Sequence, residues 1–153
     1  MKLIINIDGA SRGNPGLASC GVVIKNSAGK VLLEKGEFLG KATNNFAEFK
    51  ALDVALTEAL KLGATELEIF ADSLLLVKQF NREYKIKKDT LKVLMAEIFE
   101  KSKNFKQVKL SHIRREKNAE PDAVANQVLD KAELDIKNGK KPMPKKTGQG
   151  SLF

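Results

Sequence analysis

Cysteine is nearly absent from this 153-residue chain, and long apolar runs are missing altogether. The single cysteine, Cys20, excludes an internal disulfide, and its place in an apolar β-type run is typical of a small buried residue rather than a reactive thiol. The longest apolar runs, such as residues 74–77, fall far short of the roughly 20 residues that span a bilayer. The first residues also lack the apolar core of a signal peptide. We therefore expect a cytoplasmic protein without a membrane segment.

Acidic residues are outnumbered by basic ones. The chain has 27 Lys and Arg against 19 Asp and Glu, and its net charge is +8. This balance favours a polyanionic partner, of which nucleic acid is the commonest, although excess lysine also serves plain solubility. A hydrophobic content of 42% in a chain of this length suffices for one compact core. We expect a single domain.

Apolar periodicity divides the chain into strand-like and helix-like segments. Strand-like runs occupy residues 3–8, 20–25, 31–39, 67–71 and 107–110. Helical spacing is found at residues 43–62, 73–80, 89–102 and 121–137. The Gly-rich segment 9–16 is typical of a loop, and Lys50 and Asp53 are expected on the solvent side of the first helix. Three strands followed by alternating helices and strands predict an α/β fold with a mixed sheet flanked by helices.

Three acids fall at informative places in this pattern. Asp8 and Asp72 each follow a strand-like run, and they meet if the first and fourth strands are adjacent and parallel. Glu48 falls on the sheet-facing side of the first helix, where a carboxylate needs a cation, a hydrogen-bond network or a metal. Ordinary alternatives exist for each acid: a turn residue for Asp8, an N-cap for Asp72, and partial exposure near a helix start for Glu48.

A carboxylate cluster suits Mg²⁺, with Mn²⁺ as an alternative, because hard cations take oxygen ligands. Two such ions roughly 4 Å apart can activate a water and stabilise the leaving oxygen of a phosphodiester. Such a site in a basic protein therefore indicates phosphodiester cleavage. The acid cluster and the basic charge would suit metal-dependent phosphotransfer domains of other α/β folds equally well.

The ordered motifs resemble those of one family, type 1 ribonuclease H. They are the segment Asp8–Gly16, the triplet Thr43–Asn45 three residues before Glu48, and Ala71–Ser73 opening a helix. The resemblance covers roughly residues 1–137. It implies a ribonuclease H-like fold with a five-stranded mixed sheet, in which three antiparallel strands precede parallel ones. It also implies an endonuclease that hydrolyses the RNA strand of RNA/DNA hybrids, leaving 3′-hydroxyl and 5′-phosphate ends.

The same resemblance implies the roles of individual residues. Asp122, at the start of the last helix, completes a set of four metal ligands with Asp8, Glu48 and Asp72, holding two ions when substrate is bound. A first-turn acid is also expected from the helix dipole alone. His112 is implied in proton transfer or product release. The residues expected to contact the hybrid are Asn14, Asn44, Asn45, Asn118, Arg12 and Arg115, with Arg114 and Lys117 as further phosphate contacts that a solvated loop would explain nearly as well.

Several features depart from the family pattern. The basic extension found in some members is shortened here to residues 83–88, and tryptophan is absent. Leu74 offers no polar contact where some relatives have one. Three functions therefore stay open: a hybrid-cutting enzyme, a non-catalytic hybrid-binding module, and another metal-dependent nuclease that also cuts double-stranded RNA. The complete set of four acids favours catalysis.

Residues 138–153 form a basic tail rich in Pro and Gly, which predicts disorder beyond a domain at 1–137. The tail ends in residues that resemble the short peptide by which bacterial replication proteins bind the sliding clamp, namely Gln149, Leu152 and Phe153. Two apolar anchors on a flexible linker would raise the concentration of nuclease at replicating DNA. The expected context is removal of RNA primers during replication by a monomer; the alternative is a frayed chain end.

Overall fold

The computed structural model describes residues 1–144. Residues 145–153, and with them Gln149, Leu152 and Phe153 of the predicted clamp-binding peptide, lie outside this part. The strands are β1 (Lys2–Gly13), β2 (Gly16–Asn26), β3 (Val31–Ala42), β4 (Glu66–Ala71) and β5 (Gln107–His112). The helices are α1 (Asn44–Lys61), α2 (Leu74–Phe80), α3 (Asp89–Ser102) and α4 (Ala119–Lys137), with one 3₁₀ turn at Arg115–Lys117.

The five strands form one sheet in the order β3-β2-β1-β4-β5. The pairs β1–β2 and β2–β3 are antiparallel, whereas β1–β4 and β4–β5 are parallel. This arrangement confirms the predicted α/β class and the mixed sheet in which antiparallel strands precede parallel ones. The parallel pairs place the carboxyl ends of β1, β4 and β5 at the same edge of the sheet.

The Gly-rich segment 9–16 is a β-hairpin rather than the expected loop. The β1–β2 pairing continues from Leu3 opposite Asn26 to Gly13 opposite Gly16, which leaves a two-residue turn. Gly13 has a φ of 113°, a conformation that glycine adopts without steric cost. Cross-strand pairing therefore overrides the weak strand preference of the glycines.

Helix α1 is buried on more sides than its periodicity predicts. The Thr43 hydroxyl caps it by accepting a hydrogen bond from the Phe46 N–H at 3.1 Å. Lys50 and Asp53, expected on the solvent side, are buried. This expectation was wrong because the two charges are paired inside the fold: the Lys101 ammonium of α3 donates to an Asp53 carboxylate oxygen at 2.6 Å, and Lys50 Nζ donates to the other at 3.3 Å. Paired charges can be buried where single ones cannot.

The starts of two helices also differ from the prediction. Asp89 is the first residue of α3 rather than its N-cap, which is Lys88. Pro121 is the third residue of α4 rather than the first. The first-turn N–H groups of a helix have no intrahelical acceptor, so proline is tolerated there without losing a hydrogen bond. No helix within residues 1–144 has the length and apolarity needed to cross a membrane.

Candidate active site

Asp8 and Asp72 lie side by side where two parallel strands end. Ile7 of β1 pairs with Ala71 of β4, and the next residue on each strand is the acid. Parallel pairing brings consecutive residues of both strands to the same level of the sheet, so the two carboxylates meet. One carboxylate oxygen from each of Asp8, Glu48 and Asp72 lies within 4.8 Å of the other two.

Glu48 reaches this pair because α1 lies directly against β1. A Cβ on Gly9 would stand 2.4 Å from the backbone nitrogen of Glu48, so only glycine permits this approach. The Gly9 N–H donates to Glu48 Oε1 at 2.8 Å and orients the carboxylate. The glycine that follows Asp8 therefore serves both the packing of α1 and the placement of its acid.

Asp122 approaches from the other face of the sheet. Gly21 is the cross-strand partner of Asp8, and a Cβ on Gly21 would stand 2.2 Å from the carbonyl oxygen of Pro121. Consecutive residues of a strand face opposite sides, so α1 over Gly9 and α4 over Gly21 cover opposite faces. Asp122 is thereby placed within hydrogen-bonding reach of Asp8, beside the three-carboxylate group.

The electrostatics of this cluster are unfavourable without a cation. Burial, and next the charges of Asp72 and Asp122, raise the pKa of Asp8 to about 8. Burial and the charge of Asp8 likewise raise the pKa of Glu48 well above its ordinary value, against a smaller opposing effect of the Arg115 guanidinium. The raised pKa values mean that Asp8 and Glu48 resist ionisation beside Asp72 and Asp122, so full ionisation of the cluster is unfavourable unless a cation is bound.

The donor set fits a hard divalent cation. All four side chains offer carboxylate oxygens, the ligands preferred by Mg²⁺ and Mn²⁺, and the short separation of three of them allows one ion to contact several. A cation would relieve the burial penalty on Asp8 and Glu48. The residues that would hold it are Asp8, Glu48, Asp72 and Asp122.

Asn118, expected to contact substrate, lies buried beneath the acids. Its Nδ2 donates to the Ile7 carbonyl at 2.8 Å and to Asp72 Oδ2 at 3.1 Å, and its Oδ1 accepts from Asn6 Nδ2 at 3.0 Å. Every polar atom of the amide is thus used within the protein, and one bond fixes Asp72 against the end of β1.

The three other asparagines expected to contact substrate gather at the start of α1. Asn44 and Asn45 are the first residues of the helix, and Asn14 is in the turn between β1 and β2. Asn14 Oδ1 accepts from the Asn44 N–H at 3.0 Å, which satisfies one free donor of the helix terminus. The hairpin and the helix that carries Glu48 are therefore joined next to the acids.

The basic residues and the histidine take different positions. His112 is exposed at the end of β5, opposite Ala71 and so next to Asp72. Arg115 is exposed, and its charge acts on Glu48. Arg12 reaches α4, where its partly exposed guanidinium forms ion pairs with Asp130 at 2.7 Å and Glu133 at 2.5 Å. Arg114 and Lys117 are exposed on the same loop as Arg115.

Two polar residues near the acids, Asn126 and Asn6, were missed in the prediction from sequence. Asn126 Nδ2 donates to the Asp122 backbone oxygen at 3.0 Å and to Asp122 Oδ1 at 3.3 Å. The available signal was its spacing of four residues from Asp122, which places both side chains on one helix face. Asn6 was missed because its position in a strand gives no hint of its bond to Asn118.

Comparisons with known proteins agree with this geometry. Residues 6–128 match the model of a family described as reverse transcriptase-like. The chain is 38% identical over 133 residues to bifunctional protein Rv2228c of Mycobacterium tuberculosis, covering 86% of this chain and 36% of that one. It is 38% identical over 125 residues to ribonuclease HI of Halobacterium salinarum, covering 82% of this chain and 63% of the relative. The chain thus spans about a third of the mycobacterial relative and under two thirds of the archaeal one.

Solved structures are similar over nearly their whole length. The crystal structure of RNase H1 from Halobacterium salinarum has a TM-score of 0.84 at 36% identity, with 86% of this chain and all of that chain covered. LC11-RNase H1, isolated from compost and crystallised with an RNA/DNA hybrid, has a TM-score of 0.82 at 40% identity, with 86% and 99% covered. The family match over residues 6–128 includes Asp8, Glu48, Asp72 and Asp122.

Proposed function

Because this chain belongs to the ribonuclease H family, we propose that it is an endonuclease that hydrolyses the RNA strand of RNA/DNA hybrids with divalent metal ions. The observation that carries the proposal is the convergence of Asp8, Glu48 and Asp72 within 4.8 Å at the carboxyl ends of two parallel strands, with Asp122 beside Asp8. One neighbour with this fold was crystallised with an RNA/DNA hybrid, which supports that class of substrate.

The four acids would hold Mg²⁺ or Mn²⁺, as two ions when substrate is present. Bound ions supply an activated water and stabilise charge on the leaving 3′ oxygen. Attack of water on phosphorus breaks the P–O3′ bond, so one product carries a 5′-phosphate and the other a 3′-hydroxyl. Asn118 holds Asp72 in place, and the Gly9 N–H holds Glu48. His112, exposed next to Asp72, would move a proton at the scissile phosphate or aid product release.

Recognition of the hybrid is assigned to the residues around the start of α1. Asn14, Asn44 and Asn45, which gather at the start of α1, would contact the 2′-hydroxyl edge that distinguishes RNA from DNA. Arg115 on the loop before α4 is free to meet phosphate because it is exposed. Arg12, engaged with Asp130 and Glu133, is less available for this task.

The wider role proposed is removal of RNA primers and hybrids during replication. It is supported by the activity proposed above and by the tail ending in Gln149, Leu152 and Phe153, which resembles a clamp-binding peptide. Deleting residues 149–153 should weaken binding to a bacterial sliding clamp in a pull-down or surface-binding assay while leaving hybrid cleavage unchanged. Equal clamp binding by both chains would remove the tail from the proposal.

The main experiment uses labelled RNA/DNA hybrid, double-stranded RNA and double-stranded DNA, each with Mg²⁺, Mn²⁺ or chelator. We expect cutting of the RNA strand of the hybrid alone, dependent on metal and lost in Asp72→Asn. Hybrid binding without cleavage in either metal would instead identify a binding module. Cutting of double-stranded RNA at a similar rate would identify a less selective nuclease.

A further inference from the structure

The side chain of Arg12 extends to α4, the helix that carries the proposed ligand Asp122, and stays partly exposed there. Arg12 lies near the end of β1, two residues before Asn14. Its guanidinium contacts three residues of α4: Asp130 and Glu133 through ion pairs, and Asn126, whose Oδ1 accepts from Nη2 at 3.2 Å. The hairpin that carries Asn14 is thereby joined to α4 through several polar contacts.

Asn126 links Arg12 to Asp122 because its amide forms hydrogen bonds with both residues. An arginine offers only donors, so the Asn126 amide must present its oxygen to Arg12 and its nitrogen elsewhere. That nitrogen donates to Asp122 Oδ1 at 3.3 Å and to the Asp122 backbone oxygen at 3.0 Å. Arg12 therefore fixes the orientation of the amide, and the amide restrains the carboxylate.

We propose that Arg12 and Asn126 are positioning residues that set the orientation of Asp122 toward the metal. The proposal rests on the proposed function, in which Asp122 is a metal ligand. Asp122 is the acid most in need of a restraint because it is half-buried and lies outside the group of Asp8, Glu48 and Asp72. Groups that orient metal ligands in this way strongly affect metal affinity.

The same contacts couple substrate recognition to the metal site. Asn14, in the turn beyond Arg12, accepts from the N–H of Asn44 at the start of α1. One hairpin thus contacts both helices that deliver acids, α1 through Asn14 and α4 through Arg12. A hybrid that contacts Asn14 would stabilise the hairpin geometry that also holds Asp122, so substrate and metal should bind cooperatively.

The alternative role of Arg12 is direct binding of a substrate phosphate. A phosphate would compete with Asp130, Glu133 and Asn126 for the guanidinium donors. The two roles predict different kinetics. A phosphate-binding arginine stabilises the ground and transition states equally, so its removal raises KM, whereas a misplaced metal ligand lowers kcat and metal affinity.

The experiment compares Arg12→Ala, Asn126→Ala and the double variant with wild type. Mn²⁺ binding to the metal-free proteins is measured by titration calorimetry, and hybrid cleavage is measured at saturating metal. We expect each single change to weaken Mn²⁺ binding about tenfold and to lower kcat, with KM within about twofold. Because both residues act through one contact chain, the double variant should lose little more than the worse single variant.

The control is Lys25→Ala. Lys25 Nζ donates to Glu120 Oε1 at 2.7 Å, so this change also removes one cation that ties a strand to the start of α4, without touching Asn126. Its Mn²⁺ affinity and kcat should match wild type. Additive effects of the two changes, or unchanged Mn²⁺ binding with raised KM in Arg12→Ala, would overturn the proposal. Weakened Mn²⁺ binding in a chain whose wild type cleaves no hybrid would uphold the positioning role and reject the proposed function alone.

Discussion

The carbonyl oxygen of Pro121 lies so close to Gly21 that a Cβ on Gly21 would be only 2.2 Å from it. This contact sets the height of the first turn of α4 above β2, and therefore the distance from Asp122 to Asp8, the strand partner of Gly21. A backbone oxygen cannot rotate aside as a side chain can. Any residue larger than glycine must push the helix away.

Gly21→Ala is therefore expected to impair catalysis more than stability. Overpacking should lower the free energy of unfolding by about 1–3 kcal/mol. Displacing Asp122 by about 1 Å should reduce kcat by about 10²-fold. Urea unfolding and hybrid cleavage measure the two effects.

Gly36→Ala is the matched control for this prediction. Gly36 underlies the same helix, but its Cβ would meet the side chain of Val128 at 2.5 Å rather than the helix backbone. That variant should lose stability with nearly normal kcat. Equal loss of kcat in both variants would mean that the contact at Pro121 has no special role.

Local sequence patterns predict the strands and helices of the fold but not the contacts between distant residues. Strand-like runs ending at Asp8 and Asp72, with helical spacing between them, predicted a mixed sheet and a meeting of the two carboxylates if their strands were adjacent and parallel, as they are in the structure. The contact between Gly21 and Pro121 could not be predicted, because residues 100 positions apart leave no periodic signal of their approach. Asp53 shows the same limit: helical spacing defines a face, but only tertiary packing decides whether a neighbour such as Lys101 of α3 covers it.

The candidate site, like the fold, can be predicted only in part from the sequence. The sequence pattern alone identifies acids at strand ends and in a first helical turn as candidate metal ligands. Asn118 and Asn126 act through hydrogen bonds whose partners, Asp72 and Asp122, are specified only by the folded chain. A residue such as Arg12 shows the difference most clearly, because a basic residue in a Gly-rich turn indicates phosphate binding until its three partners on α4 are known.

Asp8→Asn should abolish cleavage and yet stabilise the metal-free protein. The change removes a buried charge that Asp72 and Asp122 oppose, and we expect the free energy of unfolding at pH 8 to rise by about 1–3 kcal/mol. Thermal unfolding in chelator measures this. Glu34→Gln, an exposed carboxylate on β3, should leave the melting temperature within about one degree, since surface changes are nearly neutral. A destabilised Asp8→Asn would show that the carboxylates do not repel one another in the folded chain.

The stability of the metal-free protein should fall as pH rises from about 4 to about 8. The pKa of Asp8 is raised from 3.8 to about 8 on folding, and the pKa of Glu48 is also raised, so the folded state binds protons more tightly than the unfolded state. Their contribution is fully present below pH 4 and is lost as pH approaches 8. Each extra proton held by the folded state gives a slope of about 1.4 kcal/mol per pH unit.

Saturating Mg²⁺ should flatten this dependence, because a bound cation favours the ionised carboxylates. Urea unfolding at pH 4, 6 and 8, with Mg²⁺ and with chelator, gives both slopes. Asp8→Asn in chelator should show a shallower slope than wild type. Identical slopes in Mg²⁺ and in chelator would place the metal away from these acids.

Asn118→Ala tests whether Asp72 depends on its buried partner. The change leaves the Ile7 carbonyl and the Asn6 amide without their bonds to Asn118, and it frees Asp72 Oδ2. Loss of buried hydrogen bonds should lower the free energy of unfolding by about 1–3 kcal/mol.

The catalytic consequence separates a positioning residue from a substrate-binding one. If Asn118 orients Asp72, kcat falls by about tenfold or more and Mn²⁺ binding weakens, while KM for the hybrid stays near wild type. Asn81→Ala provides the control, because Asn81 Nδ2 likewise donates to a strand carbonyl, that of Leu110, but touches none of the acids. Its kcat and Mn²⁺ affinity should be unchanged. A raised KM with intact Mn²⁺ binding in Asn118→Ala would instead show that Asn118 binds the hybrid. Asp72 would then be held in place by the bound metal and not by Asn118.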